Sequence, residues 1–266
     1  MKKTIKLLLT LVVLVIGITL FGCRGNGNNS SKELVVATNC EFPPFEYTDK
    51  NGKSIGIDME LASEIAKILG YDLKIKDMSF DAVIGALEAK QANVAMAGLT
   101  ISEKRKESVD FCDPYFDAFQ VVIGLKSSKA MEIDNYDDLI KELEGKKIGF
   151  QNGTTAQYFV EGDEGWEFPG INGAVSKGFT SGAAAIMALR NGQIDYVIID
   201  KVPALQFVEK NKEEISVNID VHLTEEQYAF AVQKDDKELC EKINVALKTL
   251  KENGKFTEIV NKYYSD

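Results

Sequence analysis

The side chains best suited to chemistry lie in a few short stretches. In AGLTISEKRKESVDF (residues 97–111), Gly98, Thr100 and Ser102 lead into a run of charges, and Ser102 reads as the N-cap of a helix. A capping box would put Glu or Gln three residues after Ser102, and Arg105 stands there instead. A cation in a first turn opposes the helix dipole at a cost of roughly 0.3–1 kcal/mol. The planar guanidinium suits bidentate binding of a carboxylate, and the free N–H groups of a helix start favour the same anion. The alternative is a solvated charge run in which Arg105 pairs with a nearby acid.

Gly153-Thr154-Thr155 offers a second anion site: a glycine turn, two hydroxyls and a helix start after the strand-like KKIGF. It lacks the spacing and lysine of a P-loop, and a plain N-cap threonine explains it equally well. Asp200 closes the apolar run DYVIID, where a buried carboxylate needs a cationic or N–H partner. It suits an ammonium, or the N-cap of the segment that follows. In NCEFPPFEY (residues 39–47), Pro43 and Pro44 stiffen a loop that presents Phe42 and Phe45. With Phe80 these rings suit a sandwich around a flat or aliphatic group, or they are core residues, the expectation for Phe45.

Other chemistry has little support. Cys40, Cys112 and Cys240 match no zinc spacing, and His222 is the only histidine, expected at the surface or a strand edge. Neither metal catalysis nor a Cys-His nucleophile is indicated, and no cofactor is expected. A Cys40–Cys112 disulfide is one option for the thiols; three unpaired, packed thiols are the expectation.

The elements that must position these groups alternate between strand and helix from Glu33 onward. ELVVAT, DLKIKDM, NVAMAG, FQVVIGLK, KKIGF, DYVIID and YAFAVQK read as strands. GIDMELASEIAKILG puts Ile57, Leu61, Ile65, Ile68 and Leu69 on one helical face. GFTSGAAAIMALRNG reads as a helix ending at Gly192, residues 80–89 as a short helix, and residues 236–264 as two helices. The alternation argues for α/β architecture with largely parallel sheets. The order strand, helix, strand, then a strand ending in small or hydroxyl residues occurs twice, which suggests two α/β lobes. Gly98, Thr100, Gly153, Thr154 and Asp200 all fall at strand ends, where open α/β sheets bind ligands.

Residues 1–22 stand apart from that pattern. Lys2, Lys3 and Lys6 precede a single apolar run that stops at Gly22-Cys23, a secretory signal resembling the lipobox of bacterial lipoproteins. Cys23 would become the lipidated first residue; a transmembrane anchor is the alternative. Residues 24–32 read as a flexible tether, about 30 Å long at roughly 3.3 Å per residue. The formal charge of −10 becomes −13 once the three lysines of residues 1–22 are removed, which argues against nucleic acid as a partner. A soluble body outside the cytoplasmic membrane, held to its outer face by lipid, is expected.

Taken together, ATNCEFPPFEY, GIDMELASEIAKILG, MSFDAVIGAL, AGLTISEKRKESVDFCDPYF, GKKIGFQNGTTAQYF, DYVIID and YAFAVQK resemble the polar amino-acid-binding proteins of ABC importers, solute-binding family 3, over residues 33–266. The resemblance implies a two-lobed periplasmic-binding-protein-like fold (type II), two α/β lobes on a two-strand hinge that close on one free L-amino acid. The crossovers would lie near residues 115–120 and 226–230. The first lobe would be discontinuous (33–117 and 228–266) and the second would be 118–227. Carried over residue by residue, Arg105 and Thr100 would bind the α-carboxylate, joined by the Thr155 N–H beside Thr154. Asp200 and the Gly98 carbonyl would hold the α-ammonium, Leu99 belongs to the same set, and Phe42 and Phe80 would flank the side chain. Asn39 replaces an aspartate common in the family, and Gln151 stands where some relatives have lysine or an apolar residue. That amide pair suits glutamine, whereas Glu41, if inward, favours arginine or lysine, which is slightly preferred. The implied partner is a membrane permease, and the expected state is a monomer. Two alternatives remain: a cyclohexadienyl-dehydratase-like enzyme on the same scaffold, and a sensing or adhesive lipoprotein that feeds no transporter.

Overall fold

A computed structural model of the chain describes residues 32–264. The leader, Cys23 and the tether up to residue 31 lie outside the described residues. Among the described residues no helix is long and apolar enough to cross a membrane.

Two five-stranded sheets carry the structure. The first is ordered Asp72–Asp77, Glu33–Thr38, Val94–Ala95, Ala231–Gln233, Val109–Phe111. The second is ordered Val175–Phe179, Lys147–Gln151, Tyr196–Asp200, Gln120–Leu125, Ile215–Asn218. In each, three neighbouring strands run parallel and one strand, Ala231–Gln233 or Gln120–Leu125, runs antiparallel to both its neighbours. That exceptional strand is the one the chain enters straight after a two-stranded link, Phe116–Ala118 paired antiparallel with Glu226–Tyr228. The sheets are therefore mixed rather than largely parallel, because each lobe accepts one strand from the crossover.

Period-two alternation sends side chains to both faces of each sheet. In the first strand Leu34 and Val36 pack with the helices Ile57–Leu69 and Lys237–Glu252, whereas Ala37 packs with Val83 and Leu87. In the second sheet Ile148, Phe150 and Ile198 meet Leu139, Leu143 and Phe159 on one face. Val197 and Ile199 meet Ala185, Leu189 and Phe207 on the other. Each such fully buried aliphatic side chain contributes roughly 1.5–3 kcal/mol.

Several elements depart from the sequence expectation. Ile68 lies 44% exposed, although Ala66 and Leu69 of the same turn pack on the core. The helix expected over residues 178–192 is Gly182–Arg190, capped by Ser181, and Phe179 ends a strand. YAFAVQK divides between the crossover pair and the first sheet, since a run of β-formers carries no mark of where it changes partner. The helix from Ser102 is a single turn, Glu103–Lys106. Cys40, Cys112 and Cys240 are free and buried.

Candidate functional site

Arg105 is the hub of the region between the sheets. Ser102 caps its short helix, Oγ accepting from the Arg105 N–H at 3.1 Å. In a four-residue helix the first turn is also the last, so the dipole opposition expected from the sequence does not arise. The side chain is 6% exposed and spans the cleft: Nη1 donates to the Thr100 carbonyl at 2.7 Å and Nη2 to the Gly153 carbonyl at 3.0 Å. Its Cζ stands 5.6 Å from the centre of the Phe80 ring and 4.9 Å from that of Trp166, within cation–π range. Burial pulls its pKa down to about 10, opposed first by the charge of Glu226, so it stays a cation at neutral pH.

Asp200 supplies the opposite charge from the end of the buried strand Tyr196–Asp200. It occupies the N-cap position of Lys201–Lys210, yet its side chain makes no cap bond and instead accepts from the Tyr228 hydroxyl at 2.6 Å. Burial, then the like charge of Glu226, raises its pKa to about 7, with the Tyr228 hydroxyl working against the rise. Near neutrality this carboxyl is poised between its two forms.

Glu226, on the crossover strand, connects the Thr100 and Thr155 segments. Its Oε2 accepts from Thr100 Oγ1 at 2.6 Å and from Thr155 Oγ1 at 2.8 Å, and its Oε1 accepts from Thr224 Oγ1 at 2.6 Å. Gln151 Nε2 donates to Asn39 Oδ1 at 2.8 Å and to the Thr180 carbonyl at 3.3 Å, and Asn39 Nδ2 donates to the Met78 carbonyl. Thr154 Oγ1 donates to the Gln151 carbonyl at 2.7 Å, so it does not cap the helix it precedes.

Two glycines permit close approach. At Gly98 (φ +52°) a Cβ would stand 3.0 Å from Phe42 Cε1. At Gly153 (φ +77°) it would stand 3.0 Å from Asp81 Cα, backbone contributed by the opposite lobe. Both φ values lie in the left-handed region that favours glycine.

Phe42, Phe80, Gly98, Thr100, Arg105, Gln151, Thr154, Thr155 and Asp200 line one cavity of about 10 Å³, the room of roughly one water molecule. Every one of them was expected from the sequence. Three expected residues lie elsewhere. Asn39 sits behind Gln151; Leu99 is 1% exposed in the core of the first lobe; Glu41 is exposed on the short strand Glu41–Phe42 and points to no part of the cavity wall. Phe45 is a core residue, as expected, and His222 is exposed. Sequence reasoning missed Glu226, Tyr228 and Trp166. The one signal available was Trp166 itself, the only tryptophan, set in the acidic stretch GDEGWEF. Next to the small cavity lies a cleft of about 1030 Å³ whose wall carries seven acids, Glu226 included, against one base, Lys104.

A sequence profile of the bacterial extracellular solute-binding proteins, family 3, matches residues 34–266. The arginine-binding extracellular protein ArtP of Bacillus subtilis (strain 168) is 29% identical over 267 residues, covering 100% of this chain and 99% of that protein. A mutant of the arginine-binding protein ArgBP from T. maritima superposes with a TM-score of 0.78 at 38% identity, over 88% of this chain and 96% of that one. An ancestral arginine-binding protein, solved with arginine and with glutamine, gives TM-scores of 0.76 and 0.77 at 36% identity, over 88% of this chain and 98% of its own.

Proposed function

The chain belongs to family 3 of the bacterial extracellular solute-binding proteins, and we propose that it captures a free L-amino acid between its lobes and delivers it to an ABC importer. One observation carries this reading: a buried guanidinium and a buried carboxylate, Arg105 and Asp200, line the same small cavity between the lobes. They complement the two ends of a zwitterion. Arg105, with Thr100 and the Thr155 segment, takes the α-carboxylate; Asp200 and the Gly98 carbonyl take the α-ammonium; Phe42 and Phe80 flank the side chain. The lobes of this reading are 33–117 with 228–266, and 118–227.

A basic side chain, arginine above all, fits best. Glu41 no longer supports that choice, but the acidic cleft beside the cavity does, because a wall of one sign raises the local concentration of cations. Glutamine is the second candidate: Gln151 lines the cavity, although its amide N–H groups bond Asn39 Oδ1 and the Thr180 carbonyl, and the ancestral relative was solved with both ligands. The ligand leaves unchanged, the chain acting as a binding protein, and Cys23 anchors it by lipid to the outer face of the membrane.

Calorimetry with L-arginine, L-glutamine and the other amino acids tests the reading. A true ligand at 100 times its dissociation constant stabilises the fold by about 2.7 kcal/mol. Arg105→Ala is expected to abolish binding of every amino acid. Retained binding in that variant, or no binding by the wild type, would overturn the assignment, as would an aromatic product from prephenate.

A further inference from the structure

We propose that Cys112 and Cys240 form a redox pair that closes into a disulfide outside the cytoplasm, a covalent staple between the two chain segments that build the first sheet. Neither residue lines the cavity between the lobes, so the inference is independent of the amino-acid reading of that site.

Cys112 directly follows the strand Val109–Phe111, and Cys240 lies in the first turn of the helix Lys237–Glu252, which packs on that strand. Backbone contacts fix their approach. The Cys112 N–H donates to the Phe230 carbonyl at 2.8 Å, and the next N–H, that of Asp113, donates to Asn244 Oδ1 at 2.8 Å. Asn244 stands one turn beyond Cys240 on the same helix face. Within that frame the two thiols, 4% and 9% exposed, hydrogen-bond one another. The contact with Cys240, and then burial, push the Cys112 pKa up, so it rests as the thiol. Cys40 is engaged elsewhere: its thiol bonds Ser54 and Asp77, and its N–H donates to Asp77 Oδ1 at 2.8 Å. Facing thiols serve as small apolar core residues in a reducing compartment. The family to which the chain belongs is extracellular, where disulfides form and persist.

Cys240 lines a surface groove of about 410 Å³ beside Lys234, Lys237 and Asn244, whereas Cys112 is no part of its wall. Cys240 is therefore the sulfur that an oxidant reaches first. The oxidant is another disulfide, small or carried by an oxidoreductase. The Cys240 thiol loses its proton and its sulfur attacks one sulfur of the oxidant, breaking that S–S bond and releasing the other sulfur as a thiol. Cys112 then loses its proton and attacks the Cys240 sulfur, which forms the Cys112–Cys240 bond and releases the second thiol. Two protons and two electrons thus pass from the cysteines to the oxidant. The pair lies 128 residues apart along the chain, and both strands of the crossover link fall between them. A cross-link over so long a loop restricts the unfolded chain strongly. It fastens the first sheet's layer without tying it to the second sheet.

Peptide mass mapping of the full chain provides the test, with thiols trapped by an alkylating agent in two samples: protein harvested after export, and protein refolded in a glutathione redox buffer. The expected result in both is a linked pair of peptides holding Cys112 and Cys240, separable by reductant, with Cys40 alkylated. The oxidised chain should melt roughly 4–16 °C above its phosphine-reduced form. Cys40→Ser should keep that difference, and Cys112→Ser should abolish it. The oxidised and reduced forms share one sequence, so their comparison stands even if Cys112→Ser folds poorly. Alkylation of both Cys112 and Cys240 in either sample, or a bridge to Cys40, overturns the pairing. Equal melting of the two forms overturns the staple.

Discussion

Lowering the pH should weaken ligand binding through Asp200. In the ligand-free site this carboxyl titrates near pH 7, raised by burial and then by the charge of Glu226. The ligand's ammonium requires the carboxylate form, and its charge would return the pKa toward the ordinary carboxylate range. The sign follows from linkage: below pH 7 the empty site holds a proton that the ligand must expel, so affinity falls as pH falls. The expected factor is 1 + 10^(7 − pH), about 11-fold at pH 6 and about 100-fold at pH 5, with a plateau above pH 8. A free amino acid stays zwitterionic across this window, so its own titration adds no slope. Titration calorimetry at pH 5 to 8, in buffers of different ionisation enthalpy, measures both the dissociation constant and the protons released. About 0.9 proton per ligand should appear at pH 6 and about half a proton at pH 7. Asp58, raised to about 6 by burial, titrates in the same range but bonds Gly98 N–H and the Tyr115 hydroxyl rather than facing the cavity. The Asp200→Asn variant separates the two: it should bind more weakly and lose the slope. A dissociation constant flat between pH 5 and 8 would refute the role given to Asp200.

Three further outcomes follow from the geometry. Gly153→Ala puts a methyl 3.0 Å from the backbone of Asp81, at a φ of +77° that costs a non-glycine residue roughly 1–2 kcal/mol. It should weaken arginine binding; an affinity equal to that of the wild type would refute a role for this close approach in closure. Trp166 is the only tryptophan and lies 4.9 Å from the Arg105 guanidinium across the cleft. Its fluorescence should therefore change on ligand addition, and Trp166→Ala should weaken binding about 2- to 30-fold, the range of a cation–π contact of roughly 0.5–2 kcal/mol. Asp58 holds its proton to about pH 6 in the folded chain, so its stabilising share is complete below its unfolded pKa and lost as pH rises through 6. Relative to wild type, Asp58→Asn should therefore gain about 3 kcal/mol in unfolding free energy between pH 3 and pH 7; a constant difference in urea titrations would contradict this.

What the sequence disclosed and what it hid differ in kind. Strands, helix faces and the small or polar residues at strand ends are local patterns, and four residues read from such ends, Gly98, Thr100, Thr154 and Asp200, line one cavity. Glu41 shows the limit of that reading. It lies two residues beyond the Asn39 position, but a short strand turns its side chain to solvent, and nothing in NCEFPPFEY states which face is inward. Arg105 was singled out for a reason that the structure removes, since a one-turn helix has no opposed dipole. Its position is explained instead by contacts to Gly153 and Trp166, 48 and 61 residues away along the chain. Glu226 is the extreme case. Its partners Thr100 and Thr155 lie 126 and 71 residues distant, and in LTEEQYAF it reads as one acid among others. A carboxylate that matters only when two lobes meet leaves no periodicity in its own neighbourhood. The groups proposed to recognise a ligand can thus be read segment by segment, whereas Glu226, which joins Thr100 to Thr155, becomes visible only in the folded molecule.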